Sequence, residues 1–216
     1  MSKIFNVGAD IDDVLFGWYL QAHLACVAYG LVPADAPMPT TWHPFQEYPG
    51  EVTRERWLEA IDAVTLTGEL YMHPPEEHAV RAIRQLAFDG HKIHLITARG
   101  FLNHADLIKG HTQDWLVEYG VPNNSLTFAK NKVIPARHFE LDYFIDDNLD
   151  NYDALDAAGI HVYLLNQPWN QPPCWCGNLA AKEPCDGGCP QVLDRRRRVD
   201  SVQQYVDIIL EAAQND

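Results

Sequence analysis

Five of the aspartate residues form two short clusters that lie far apart in the sequence. Asp10, Asp12 and Asp13 fall within four positions, and Asp146 and Asp147 are adjacent. Several carboxylates brought together are unstable unless a hard cation neutralises them, and oxygen ligands of this kind suit Mg²⁺. One such carboxylate can attack phosphorus, and another two residues away can act as general acid and then general base. The two clusters therefore predict a magnesium-dependent centre for phosphoryl transfer.

A hydroxyl and an ammonium group would complete such a centre. Thr97 follows one apolar run, and Lys130 and Lys132 follow another. Together with Mg²⁺ they would stabilise the extra charge of a phosphoryl transition state. Each of these residues alone is more often a turn, cap or solvated residue. Their occurrence in order, each after an apolar run, favours the catalytic interpretation.

Five short apolar runs predict buried strands, and every one of these polar groups follows one of them. The runs are residues 4–9, 93–96, 126–129, 143–145 and 160–165. Amphipathic helical patterns at 78–88, 104–119 and after Ser201 alternate with the strands, which implies a parallel sheet covered on both faces. Because ligands bind at the carboxyl ends of parallel strands, a Rossmann-like α/β fold would bring the polar residues into one site.

Residues 17–77 interrupt this alternation, since they carry no convincing strand but many prolines and aromatic residues. They predict a small, mostly helical cap inserted after the first strand, with residues 1–16 and 78–216 forming the core. Aromatic rings in a cap can stack on a nucleobase, which is worth roughly 1–3 kcal/mol per base. The alternative is that the rings form the core of the cap itself. The candidate base-stacking residues are Phe16, Trp18, Trp42, Phe45 and Trp57.

The ordered motifs resemble those of the haloacid dehalogenase superfamily of hydrolases. The resemblance is carried by residues 10–14 (DIDDV), 95–97 (LIT), 132 (K) and 144–147 (FIDD). It implies that Asp10 is the nucleophile and forms an aspartyl-phosphate. It also implies that Asp12 is the acid/base and helps to hold Mg²⁺ through its backbone carbonyl. Asp146 and Asp147 would anchor the same cation, directly or through water.

A narrower resemblance is to the 5'(3')-deoxyribonucleotidases, which share the helical insertion and the acid pair after the fourth strand. Residues 164–169 (LLNQPW) and 198–201 (RVDS) are similar to phage and bacterial members. The resemblance implies that Thr97 and Lys132, in preference to Lys130, bind the phosphoryl oxygens of a nucleoside monophosphate. It also suggests a homodimer. The alternatives are a phosphatase for another small ester, such as a sugar phosphate, and a non-catalytic nucleotide-binding relative.

Arg99 follows Thr97 by two residues and is a further candidate for substrate binding. Its guanidinium could contact phosphate or ribose, or could pair with the surrounding acidic residues. A different arginine feature, residues 195–198 (RRRR), is expected to be a solvated or acid-paired surface.

Four cysteines cluster near the end of the chain, in an irregular segment that predicts a cysteine-rich loop at 172–191. Four thiolates on a tightly turning backbone can hold a tetrahedral, structural zinc ion. Disulfides or free thiols are the alternatives, although clustering in a cytosolic chain points to metal first. The candidate zinc ligands are Cys174, Cys176, Cys185 and Cys189.

The bulk composition limits the classes of partner. The formal net charge of −14 counts against binding to a nucleic-acid polymer. It also repels phosphate esters at long range, so a phosphate site would need a local cation. The apolar stretches fall far short of the roughly 20 residues that cross a bilayer, and the first residues are not expected to form a signal peptide. We therefore expect a cytoplasmic protein that acts on a small-molecule phosphate ester.

Overall fold

A parallel β-sheet forms the centre of the computed structural model, which describes residues 2–50, 52–100, 104–171 and 195–215. In these residues the strand order across the sheet is β3-β2-β1-β4-β5-β6, and each neighbouring pair is parallel. The strands are β1 (Asn6–Ala9), β2 (Lys92–Thr97), β3 (Ser125–Phe128), β4 (Tyr143–Asp146), β5 (His161–Leu165) and β6 (Arg198–Val199). The Rossmann-like parallel sheet expected from the sequence is confirmed.

In the part of the chain that the structure describes, four helices lie between β1 and the first helix that packs on the sheet. They are α1 (Trp18–Ala28), α2 (Pro44–Glu47), α3 (Arg54–Leu66) and α4 (Glu69–Met72). The side chain of Thr53 accepts a hydrogen bond from the backbone N–H of Arg56 and so caps the start of α3. Buried residues of α1, α3 and α4 pack together. The segment is mostly helical, as expected; its separation from the core as a domain stays a prediction.

Among the described residues, five further helices with apolar faces cover the sheet. They are α5 (Glu77–Phe88), α6 (Ala105–Glu118), α7 (Val133–His138), α8 (Leu149–Ala157) and α9 (Val202–Asn215). Val80 and Ile83 of α5 and Val206 and Ile209 of α9 recur at helical spacing and are buried in one core cluster with residues of β1 and β2. The α5 and α9 helices therefore bury their apolar stripes against the sheet.

Gly8, in the middle of β1, allows an unusually close approach to β4. A Cβ atom at this position would lie 2.2 Å from Cδ2 of Phe144, so only glycine fits without displacing the ring. On the α9 side, the hydroxyl of the fully buried Tyr205 donates a hydrogen bond to the carbonyl oxygen of Gly8 at 3.1 Å. The first strand is thus fixed between β4 and the last helix.

The strand β6 was not expected from the sequence, because two residues are too short to give a periodic pattern. The arginine run at 195–198 overlaps this strand at Arg198. It is acid-paired, as expected: Arg196 pairs with Asp153, and Arg197 pairs with Asp156. The cysteine cluster lies outside the described residues. Among the described helices, none has both the length and the apolar character that spanning a membrane requires.

Candidate active site

Three acidic side chains meet at the carboxyl edge of the sheet. Asp10 follows β1, Asp146 ends β4, and Asp147 comes next in the chain. One carboxylate oxygen from each lies within 4.8 Å of the others, and all three residues are buried. The backbone N–H of Asp10 donates to the carbonyl of Ile145 at 3.0 Å, which fixes the two strand ends side by side. The two acidic clusters of the sequence therefore meet, as a shared cation site requires.

Lys132 lies among these acids. Its Nζ is 2.7 Å from Oδ2 of Asp10 and 2.7 Å from Oδ2 of Asp146, and the residue is 2% exposed. Burial lowers the pKa of Lys132, but the two carboxylates outweigh burial and hold this pKa above its ordinary value. Lys130 is exposed. Of the two candidate lysines, Lys132 thus lies among the acids, and its phosphoryl-binding role stays a prediction.

One ammonium group does not offset the crowding of the carboxyl groups. Burial, with added repulsion from Asp146 and Asp12, raises the pKa of Asp10 to about 7 in spite of Lys132. Burial and the charge of Asp146 raise the pKa of Asp147 well above its ordinary value. This group of oxygen ligands lacks enough positive charge to balance its carboxylates. It therefore fits Mg²⁺, which prefers carboxylate oxygens and would favour the ionised forms. Among the described residues, the candidate cation ligands that meet are Asp10, Asp146 and Asp147.

The carboxylate of Asp12 is directed to Arg99 and is not part of the three-acid group. Arg99 Nε lies 2.8 Å from Oδ1 and 3.1 Å from Oδ2 of Asp12, and Nη2 lies 2.6 Å from Oδ1. The guanidinium is buried and lies 4.8 Å from the ring centroids of both Phe16 and Tyr71. Of the alternatives for Arg99, the structure shows pairing with an acidic residue. A backbone contact of Asp12 to Mg²⁺ stays a prediction.

Thr97 ends β2, the strand that pairs with β1, after which the nucleophile candidate Asp10 follows. The residue is 1% exposed, and its Oγ1 accepts a hydrogen bond from the backbone N–H of Arg99 at 3.2 Å. The turn that follows β2 therefore holds both Thr97 and Arg99 in place. The phosphoryl contact expected for Thr97 stays a prediction.

A cavity of about 240 Å³ opens above these polar groups. Asp10, Asp12 and Lys132 line it, and the aromatic part of its wall comes from Trp18, Trp42 and Tyr71. Trp42 is 40% exposed, so its ring is accessible from the cavity. Two of the five candidate base-stacking residues are therefore placed beside the polar centre.

The expectation that Phe16 stacks on a base is wrong. Phe16 is fully buried and meets the ring of Trp115 edge-on at 5.7 Å. Its backbone carbonyl accepts bonds from Asp13 and Trp18, so the turn folds back and directs the ring into the core, beneath Arg99. Proximity to Asp10 in the sequence was a poor guide because this turn reverses the chain.

Phe45 and Trp57 form aromatic contacts within the cap segment. Their ring centroids are 6.1 Å apart, and Trp57 also meets Trp18 at 6.3 Å. Neither residue lines the cavity. Phe45 therefore packs within the cap segment, as the alternative of a cap core implies for this pair, and its assignment to substrate binding stays a prediction.

Three cavity or support residues received no role from the sequence. Tyr71 of α4 lines the cavity, and burial raises its pKa to about 12. Asn151, in the first turn of α8, donates from Nδ2 to both carboxylate oxygens of Asp146 at 3.2 Å. Asp13 has φ 57°, in the left-handed region that Asp tolerates better than most residues. Its position directly after Asp12 was the available signal.

Comparisons with known proteins found relatives in sequence and in fold. No protein-family model matches the chain. A Bacillus cereus protein named "Putative nucleotidase" is 30% identical over 120 residues, which cover 53% of this chain and 59% of that protein. A Chlorobaculum tepidum protein named "Putative 5'(3')-deoxyribonucleotidase" is 30% identical over 95 residues, which cover 43% of this chain and 45% of that protein. The chain thus spans about half the length of these curated relatives.

The fold has a counterpart among solved structures. The structure of L-2-haloacid dehalogenase from Xanthobacter autotrophicus matches with a TM-score of 0.55 at 12% identity and covers 96% of this chain and 98% of that chain. At this identity the match shows the fold alone. The resemblance expected from the sequence, to the haloacid dehalogenase superfamily in fold and to nucleotidases in sequence, is confirmed.

Proposed function

We propose that this chain, with its haloacid dehalogenase fold, is a magnesium-dependent phosphomonoesterase that hydrolyses nucleoside or deoxynucleoside monophosphates. The observation that carries the proposal is the group of Asp10, Asp146 and Asp147, with Lys132 within 2.7 Å of two of them, at the floor of a cavity. The names of the two sequence relatives favour a nucleotide as substrate.

In the first half-reaction, a carboxylate oxygen of Asp10 attacks phosphorus while the bond from phosphorus to the ester oxygen breaks. Asp12 gives its proton to the leaving oxygen, which departs as the nucleoside hydroxyl. In the second half-reaction, Asp12 takes a proton from water, and the water oxygen attacks the phosphorus of the aspartyl-phosphate. The bond from phosphorus to Asp10 breaks, so inorganic phosphate is released and free Asp10 is restored.

The surrounding groups supply charge and orientation. Lys132 stabilises the negative charge on the phosphoryl oxygens, and Thr97 donates its hydroxyl to one of them. Asp10, Asp146 and Asp147 would hold Mg²⁺, which would supply the remaining positive charge that the transition state requires. The backbone N–H of Ile11 donates to Oδ1 of Asp10 at 2.8 Å, which restrains the rotation of the nucleophile.

The cavity wall supports a substrate with an aromatic base. Trp18 and Trp42 line the same cavity as Asp10. Stacking on a ring is worth roughly 1–3 kcal/mol per base and tolerates any base. A nucleoside monophosphate would place its phosphate on the polar floor and its base against these rings. A homodimer and a zinc site at the four clustered cysteines stay predictions.

The test is a substrate panel in Mg²⁺ with dTMP, dUMP and a sugar phosphate, measured as released inorganic phosphate. We expect the wild-type protein to prefer the nucleotides, and Asp10→Asn and Asp12→Asn to lose activity by orders of magnitude while remaining folded. A preference for the sugar phosphate would overturn the nucleotide assignment. Nucleotide binding without turnover of any ester would overturn the enzymatic assignment and favour a binding protein.

A further inference from the structure

A single turn after β5 contacts Asp147 through both its side chain and its backbone. The indole Nε1 of Trp169 donates to Oδ2 of Asp147 at 2.8 Å. Nδ2 of Asn170 donates to the backbone carbonyl of Asp147 at 2.7 Å and to that of Leu165 at 2.7 Å. Trp169 is 9% exposed and Asn170 is fully buried. One of the three candidate cation ligands is thus held from outside the strand ends that carry the acids.

The position of this turn is fixed by contacts on several sides. Oδ1 of Asn170 accepts from the backbone N–H of Gln167 at 3.1 Å and from Nη1 of Arg198 at 3.2 Å. Nη2 of Arg198, on β6, donates to the backbone carbonyl of Asn170 at 2.7 Å. Nε2 of Gln167 donates to the backbone carbonyl of Asp13 at 2.8 Å. The indole of Trp169 therefore projects from a backbone that has little freedom to move.

The ring of Trp169 also packs against the cap segment. Its centroid lies 4.3 Å from that of Tyr19 and 6.0 Å from that of Trp42. The hydroxyl of Tyr19 donates to the backbone carbonyl of Thr41, so the two cap contacts are linked to each other. The indole is held by rings on one side and by a carboxylate at its edge, which leaves it one orientation.

We propose that Trp169 is a positioning residue that holds the carboxylate of Asp147 in the orientation that binds Mg²⁺. This inference rests on the proposed function, because it takes the three-acid group to be the cation site. Hydrogen bonds from neighbouring residues orient metal ligands and reduce the cost of organising them when the metal binds. Removing such a partner typically weakens metal affinity by about 10- to 100-fold.

The test uses Trp169→Phe, which keeps an aromatic ring against Tyr19 but removes the N–H donor. Magnesium binding is measured by titration calorimetry in the absence of substrate, so the result does not depend on turnover. We expect the dissociation constant for Mg²⁺ to rise by about 10- to 100-fold. The matched control is Trp115→Phe, which removes an indole bond of 2.8 Å to the carbonyl of His73 and keeps an aromatic ring near Arg99. This control should leave the constant unchanged.

Each outcome separates the inference from the proposed function. Equal Mg²⁺ constants for Trp169→Phe and the wild-type protein would overturn the inference and leave the proposed function intact. A wild-type protein that binds no Mg²⁺ would overturn both. Should Trp169→Phe fail to fold, the wild-type protein still decides, through its assigned indole N–H resonances during Mg²⁺ titration. The resonance of Trp169 should shift and that of Trp115 should not, and an unmoved Trp169 would also overturn the inference.

Discussion

Arg99 and Asp12 form a close ion pair in which three nitrogen–oxygen contacts measure 2.6 to 3.1 Å. The side chain of Arg99 is 1% exposed, whereas that of Asp12 is 25% exposed. The arginine is thus fixed by its surroundings, and the proposed acid/base is the more exposed partner, although both residues line the cavity. Under the proposed function, Arg99 acts through Asp12 by setting where its carboxylate lies.

Replacing Arg99 by lysine should impair the departure of poor leaving groups most. Lysine cannot reproduce the planar contacts, and a misplaced catalytic group can cost about 10²-fold in rate. Proton donation matters little when the leaving group is stable as an anion, so the loss should be large for dTMP and small for p-nitrophenyl phosphate. The control is Arg196→Lys, at a surface pair with Asp153. An equal loss for both esters would argue against a role through Asp12.

Replacing Trp42 by alanine should weaken binding of substrates that carry a base. The expected rise in KM for dTMP is about 5- to 150-fold, which corresponds to a stacking energy of roughly 1–3 kcal/mol. Deoxyribose 5-phosphate has the same sugar and phosphate without the base, so its KM should change little. Phe45→Leu alters a ring outside the cavity and serves as the control protein. If KM for the two esters rises equally, Trp42 does not contact the base.

Replacing Lys132 by methionine should lower activity by about 10²- to 10³-fold, the usual effect of removing one group that stabilises developing charge. Lys130→Met is the matched control, because this lysine is two residues away and exposed. It should retain nearly full activity. Steady-state phosphate release and circular dichroism of both variants provide the measurement. A similar loss in Lys130→Met would indicate that Lys130 takes part in phosphoryl binding. That result would contradict the assignment of this role to Lys132.

The stability of the metal-free protein should decrease between pH 6.5 and 8.5. The pKa of Asp10 is raised from 3.8 to about 7 and that of Asp13 from 3.8 to about 8, both chiefly by burial. A carboxyl group with a raised pKa adds stability that is complete below its unfolded value and is lost as pH rises through its folded value. Buried His23, His91 and His94 have lowered pKa values, so their opposite effect falls at lower pH.

Mg²⁺ should reverse this pH dependence, because it binds the ionised carboxylates and competes with protons. Melting temperatures measured with a chelator and with Mg²⁺ should therefore differ more at pH 8.5 than at pH 6.5. Asp10→Asn removes one of the titrating groups and should flatten the metal-free profile. A melting temperature that Mg²⁺ leaves unchanged at both pH values would contradict the cation site.

The polar floor of the site was predictable because it depends on strand ends. Asp10, Thr97 and Asp146 follow or end apolar runs, and parallel topology brings such positions together whatever the details of packing. The direction of individual rings was not predictable, since Phe16 depends on a local reversal of the chain and Phe45 on contacts within the cap segment. The strand β6 is too short for any periodicity to show.

The support of Asp147 by Trp169 also lay beyond the sequence. Residues 164–169 (LLNQPW) are distinguished in the sequence only by their similarity to other proteins. Nothing in their composition predicts that the indole of Trp169 contacts Asp147, 22 positions earlier. Long-range contacts of one side chain leave no periodic trace. The choice between Lys130 and Lys132 was of the same kind, because both follow the same strand and only packing separates them.

The hydrogen bond between Tyr205 and Gly8 makes the last helix part of the structure that holds the nucleophile candidate in place. Every proposed catalytic residue precedes position 148, yet the backbone two residues before Asp10 rests on a helix that begins at Val202. A shortened protein ending after β5 would keep every proposed catalytic residue in its sequence. It would lose the helix that supports the strand before Asp10. Catalytic competence should therefore appear only once the last helix has been synthesised and docked.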